Sequence, residues 1–170
     1  NQRSHSQFRG KSIRAMCKTK SGILWVVQAN GRLWFVDPDR KEAQLIEKEV
    51  TLQVAAKSFQ KESLEFNDVV SNGDFVFVNS PTSVYRFKEN QQDAFVLELC
   101  FDISDFNSSK ELSRIKKIDV SGEYLWARTD AFLIRYHLDS GEKEMMSLAD
   151  FVPKKHEENY AGHPTIAASD

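Results

Sequence analysis

Residues 21–47 read SGILWVVQANGRLWFVDPDRKEAQLIE, and the fold is decided by how this stretch is divided. Ser21-Gly22 punctuates a turn, Leu24-Trp25-Val26-Val27 is a short apolar run, and Asn30-Gly31-Arg32 is a polar connection. Leu33 to Val36 is a second apolar run, DPDRKE a charged turn, and Ala43 to Ile46 a last one. Asn, Gly, Asp and Pro supply the special backbone angles that tight reversals need. Apolar runs of four or five residues, rich in aromatic and β-branched side chains and separated by such reversals, predict consecutive antiparallel strands.

The same sentence is written three times. Residues 71–99 read SNGDFVFVNSPTSVYRFKENQQDAFVLEL, and residues 121–148 read SGEYLWARTDAFLIRYHLDSGEKEMMSL. Gly22, Gly73 and Gly122 correspond, as do Leu24, Val76 and Leu125, and then the large aromatics Trp25, Phe77 and Trp126. The second run aligns Leu33, Val84 and Leu133, and ends on Val36, Phe87 and Tyr136, spaced by 51 and then 49 residues. The last runs fall at Ala43 to Ile46, Ala94 to Leu97 and Met145 to Leu148. Upstream, Ile13 to Cys17, Leu64 to Val70 and Ile115 to Val120 supply one further strand per unit. A repeat of about fifty residues holding four antiparallel strands is the blade of a β-propeller.

The fold class is therefore all-β: a partial β-propeller of about three four-stranded antiparallel blades plus one strand of a fourth. The units span 13–47, 64–99 and 114–148 of one propeller segment. Residues 48–62 and 100–113 read as crossings between blades, and 149–170 as a further crossing whose PTIAASD begins another blade. A β-sandwich also shows turn signals every 8–12 residues; the joint recurrence of glycine, aromatic and second strand favours the propeller.

Alternation places Trp34 and Val36, Tyr85 and Phe87, and Ile134 and Tyr136 on one face of their blades, with Leu33, Val84 and Leu133 on the other. Both faces are apolar, as expected for sheets stacked between neighbours. Phe35, Arg86 and Arg135 vary in polarity at one position, which predicts the edge of an inter-blade core, where an arginine lays down its stem and keeps its head wet. Trp25, Phe77 and Trp126 are read as fillers between blades rather than as a stacking platform for a sugar or base.

A net charge of −2 gives no electrostatic reason to expect nucleic acid as a partner. Cys17 and Cys100 are too few for a disulfide framework and are read as small hydrophobes. His5, His137, His156 and His163 show no metal-ligand spacing. No nucleophile elbow, zinc-protease, P-loop or dinucleotide motif occurs, so the expectation is a non-enzyme without metal or cofactor; a two-carboxylate hydrolase is the catalytic alternative. Lys116-Lys117 and Lys154-Lys155 read as solvated charge, and Asn107-Ser108-Ser109 has the form of a glycosylation sequon. Binding is expected in the loops. Arg128 and Asp130, polar where the first unit carries Val27 and Ala29-Asn30, are the candidate ligand-facing pair, against an ordinary solvated turn.

The string IRAMCKTKSGILWVVQANGRLWFVDP, residues 13–38, resembles the two-component regulator propeller repeat through Gly22, Leu24, Trp25, Gly31, Leu33, Phe35 and Asp37. The third unit matches through Gly122, Leu125, Trp126, Leu133 and Tyr136 but has Ala131 at the second glycine, and the second unit has Phe77 in place of tryptophan. The resemblance implies a fragment of the periplasmic or extracellular sensor domain of a bacterial hybrid two-component system. It implies a small-molecule or glycan-derived oligosaccharide ligand, and the remaining blades of a parent protein as partners. Three blades do not close a ring, which predicts self-association through open sheet faces. The alternative is an intracellular propeller scaffold for protein–protein interaction.

Overall fold

The computed structural model describes residues 12–40, 42–46, 65–73, 75–88, 97–106 and 114–151. The strands are β1 (Ile13–Lys18), β2 (Leu24–Gln28), β3 (Leu33–Asp37), β4 (Glu42–Ile46), β5 (Asp68–Ser71), β6 (Phe75–Asn79), β7 (Ser83–Lys88), β8 (Leu97–Asp102), β9 (Lys117–Ser121), β10 (Tyr124–Arg128), β11 (Phe132–His137) and β12 (Lys143–Ser147). They form three four-stranded antiparallel sheets, each in sequence order. The first strands lie side by side, β1 against β5 and β5 against β9. They therefore form the inner edges of the three sheets, and β4, β8 and β12 form the outer edges. The described residues thus form a partial β-propeller of three blades. The expected crossing over 48–62, the sequon at Asn107, the Lys154-Lys155 pair, His5, His156, His163 and the first strand of a further blade lie outside the described residues.

Cross-strand pairing reproduces the repeat. Leu24 faces Val36, Val76 faces Phe87 and Leu125 faces Tyr136; one residue on, Trp25 faces Phe35, Phe77 faces Arg86 and Trp126 faces Arg135. The outer strand of the second blade runs over Leu97–Asp102, beyond the expected Ala94 to Leu97, of which 94–96 lie outside the described residues. Residues 94–101 are one nearly continuous apolar run, so composition does not choose the strand within it; pairing with β7 does. Glu98 falls opposite Arg86, and Phe101 opposite Val84 in the core. Residues 100–102 thus belong to the blade, followed by a 3-10 turn at Ile103–Asp105 that Asp102 caps by accepting from Ser104 N–H at 2.8 Å.

Two cores lie between the three sheets. The first joins Trp25, Val27 and Leu33 of blade one to Val69, Val76, Val78, Tyr85, Phe87 and Leu97 of blade two. Trp25 stacks on Phe87, with ring centroids 5.0 Å apart. The second joins Phe77, Val84, Cys100 and Phe101 of blade two to Ile118, Leu125, Ala127, Ile134 and Tyr136 of blade three. Strand alternation sends these two sets from the middle blade in opposite directions. Trp25 and Phe77 are buried, whereas Trp126, on the far face of blade three, is only half-buried. There Arg135 lies over the rings of Tyr124 and Trp126, at 4.8 and 5.9 Å, and pairs with Glu144. Arg86 repeats the arrangement in blade two, over Phe75 at 5.1 Å and bound to Glu98 at 2.7 and 2.9 Å.

Trp25→Ala is expected to cost about 3–5 kcal/mol, the usual range for emptying a buried aromatic site. Trp126→Ala should cost about 1 kcal/mol, because its ring is half solvated already. Urea denaturation midpoints of the two variants check the contrast, and equal losses would contradict the burial order. Burial pushes the Cys100 thiol up from 9.0 to about 12. Folding therefore favours the protonated thiol: its stabilisation is complete below pH 9.0 and is lost as pH rises toward about 12. Iodoacetamide at about pH 8 should alkylate Cys17 in the native protein and leave Cys100 unmodified until denaturant is added.

Candidate functional site

The connection between the second and third strands of each blade decides how the next blade begins. In blade one, Gly31 takes φ +76°, and a Cβ there would lie 2.9 Å from that of Glu65. Only glycine lets the hairpin touch the incoming chain, where Phe66 N–H donates to Gly31 C=O at 3.0 Å. In blade two the hairpin is closed instead by Ser80, whose Oγ accepts from Ser83 N–H at 3.0 Å. Its Pro81 C=O accepts from Ile115 N–H at 2.7 Å, and Asn79 Nδ2 donates to Ile115 C=O at 3.2 Å. Thr129 repeats the serine's part in blade three, accepting from Phe132 N–H at 2.9 Å. Each hairpin of the first two blades thereby holds the entry of the following inner strand at the same end of the molecule.

Those entries carry the polar residues. Arg14, Asn67, Asp68, Arg114, Lys116 and Lys117 line a recess of about 400 Å³ where the three inner strands begin. Arg14 crosses from blade one to blade two, donating to Asn67 Oδ1 at 2.7 Å and to Ala29 C=O at 2.8 Å. Asp68 is buried and crosses from blade two to blade three. Its carboxylate accepts from Ile118 N–H at 3.1 Å and from Lys117 Nζ, with a closest approach of 3.2 Å. Among the described residues the lining holds four cationic side chains and one carboxylate, an excess of positive charge in a chain whose net charge is −2.

The residues singled out from sequence sit beside this recess. Asp130 is paired with Lys116, and exposed Arg128 stands directly across the ladder from Lys117. Neither lines the recess. Lys116 and Lys117, read from sequence as solvated charge, do line it. Arg14, Asn67, Asp68 and Arg114 drew no attention in the sequence; their signal was a polar residue at or just before the start of each inner strand. His137 serves the turn between β11 and β12, its Nδ1 accepting from Asp139 and Ser140 N–H at 3.3 and 3.1 Å. Among the described residues no three His, Cys, Asp or Glu side chains come together as a metal-ligating group.

The chain is similar in fold to solved propellers. The extracellular domain of the putative hybrid two-component system BT4673 from B. thetaiotaomicron matches with a TM-score of 0.57 at 15% identity, over 80% of this chain and 16% of that one. A second structure of that domain, described as a putative one-component system, gives 0.53 at 15% identity over 79% and 16%. The β-propeller domain of Cps50 (Swd1) from Myceliophteria thermophila gives 0.51 at 18% identity, over 80% of this chain and 41% of that one. The chain thus spans 16% of the length of each BT4673 structure. No family model matches the sequence, and no curated protein does. At these identities the likeness establishes the propeller fold.

Asp68→Ala should destabilise the chain by about 1–3 kcal/mol, because it leaves the buried Ile118 N–H without an acceptor and removes the partner of Lys117. Chemical denaturation measures the loss, and faster hydrogen exchange at Ile118 locates it.

Proposed function

We propose that this chain is a non-catalytic, ligand-sensing segment of a larger propeller, and that the axial recess is the end that receives the ligand. One observation carries the reading: the inner strands of three successive blades bring their polar starting residues to a single recess. The lining carboxylate, Asp68, is committed to Ile118 N–H and Lys117, which leaves the recess suited to binding rather than to acid–base work. The likeness to the extracellular domain of a two-component system, with the repeat pattern around Trp25, supports a periplasmic or extracellular sensor, and a small molecule or glycan-derived oligosaccharide as its ligand. The remaining blades of the parent protein complete the ring, since propellers hold typically 4–8 blades.

The test is a titration of the full chain with candidate oligosaccharides, followed by backbone amide shifts. Saturable shifts at Asn67, Ile115 and Lys117, with the ligand recovered unaltered, support the reading. Turnover of the ligand, or shifts confined to the outer strands, contradicts it.

A second reading, a scaffold for protein partners, is favoured by the half-buried face of blade three, with Tyr124, Trp126 and Arg135. In the two preceding blades the residues equivalent to Trp126 are covered by the next blade. The same face supports self-association of the isolated chain. Sedimentation at micromolar concentration should give a mass above 19.5 kDa, reduced to the monomer by Trp126→Glu. A compact monomer for the unsubstituted chain overturns the self-association.

A further inference from the structure

We infer that the axial recess binds an oxyanion: a carboxylate, phosphate or sulfate group, free or carried into it by a larger ligand. The inference rests on reading the recess as the receiving end, and adds what chemistry it receives. The groups around the recess are almost all donors. Arg14 spends its charge on neutral acceptors, Asn67 Oδ1 and Ala29 C=O, so the guanidinium is bonded but no carboxylate of the described residues neutralises it. Exposed Arg114 makes no hydrogen bond or ion pair with a described residue. Lys116 has Asp130 and Lys117 has Asp68, and each ammonium carries three N–H donors. The side-chain amide nitrogen of Asn67 is buried without an acceptor. Among the described residues the four lining cations thus face two carboxylates, and the unmet hydrogen-bonding capacity of the lining side chains lies on the donor side.

A cation would be repelled there. A neutral hydroxyl offers an acceptor but no charge, and charge-assisted hydrogen bonds are roughly twice as strong as neutral ones. An anion satisfies both demands. The cations come from separate elements: Arg14 from β1, Lys117 from β9, and Arg114 and Lys116 from the segment entering β9. A bound anion would therefore tie blade one to blade three across blade two. A recess of about 400 Å³ leaves room for a body attached to the charged group. Two sources share this chemistry: a free inorganic anion, and the carboxylate of an acidic sugar.

The experiment titrates the full chain at low salt with inorganic phosphate, with a galacturonic acid oligomer and with the matched neutral oligosaccharide. The readouts are the Asn67 side-chain amide and the backbone amides of Ile115 and Lys117. The expected result is saturable shifts with the anions, weakened by added salt and weakened about tenfold by Arg114→Gln, the loss of one charge-assisted contact. Arg114 is exposed and outside the blade ladders, so the variant should fold, and an unchanged denaturation midpoint confirms it. Tighter binding of phosphate identifies a free anion as the source, and tighter binding of the oligomer identifies an acidic sugar; either supports the inference. Equal binding of the neutral oligosaccharide, insensitive to salt and to Arg114→Gln, overturns the oxyanion while leaving the recess as the receiving end. No shift with any of the three overturns both.

Discussion

A four-stranded sheet with apolar side chains on both faces has no stable existence in water alone; it must be covered on each side. In this chain the cover is another sheet of the same kind. Trp25 lies on Phe87, and Phe101 lies against Tyr136 at 5.9 Å, so each blade fills the wedge left by its neighbour. The middle blade shows the constraint most fully, because Val76, Phe77, Val78, Val84 and Phe87 are all buried while pointing to alternate sides. Large aromatic rings suit this position because they fill space and contribute mainly through area.

Stacking sheets in this way brings their first strands together. Once β1, β5 and β9 lie side by side, whatever precedes them in sequence is gathered at one end. The hairpins that latch onto the next blade, through Gly31 and Pro81, hold those entries in place. The recess is thus a consequence of the stacking, and its charge is a consequence of which residues stand at the strand starts. Asp68 and Arg14 then act as links between blades as well as walls of the recess. The walls of the recess and the packing between blades thus share residues.

The edges of the cores show how the same position is solved in different ways. Phe35 packs edge-on against Trp25, with centroids 5.7 Å apart. Arg86 and Arg135, at the equivalent place, cover aromatic rings with their guanidinium planes and reach across the ladder to Glu98 and Glu144. An arginine–glutamate pair over an aromatic ring does what a phenylalanine does, while keeping a charged edge toward water. Exposed pairs of this kind contribute little stability individually; their use is to finish a core at its boundary.

Much of the architecture was legible in the sequence. The alignment of Leu24 with Val76 and Leu125, and of Trp25 with Phe77 and Trp126, is the cross-strand register found in the structure, because a period of two ties apolar spacing to a face. The turns were legible because Gly, Asn, Asp and Pro have few alternatives at those backbone angles. The end of the outer strand of blade two, at Asp102 rather than Leu97, was not legible, since a nearly continuous apolar run carries no internal boundary and pairing with β7 sets it. The recess was not legible at all. Arg14, Asn67 and Lys117 are about fifty residues apart in sequence, and local pattern says nothing about distance between repeats. Sequence by itself determined most of the strands, the turns and the alternation of faces, because those follow from neighbours along the chain. Only the tertiary structure decided that three strand entries meet at one axis and make a positive recess, because that follows from how whole sheets pack.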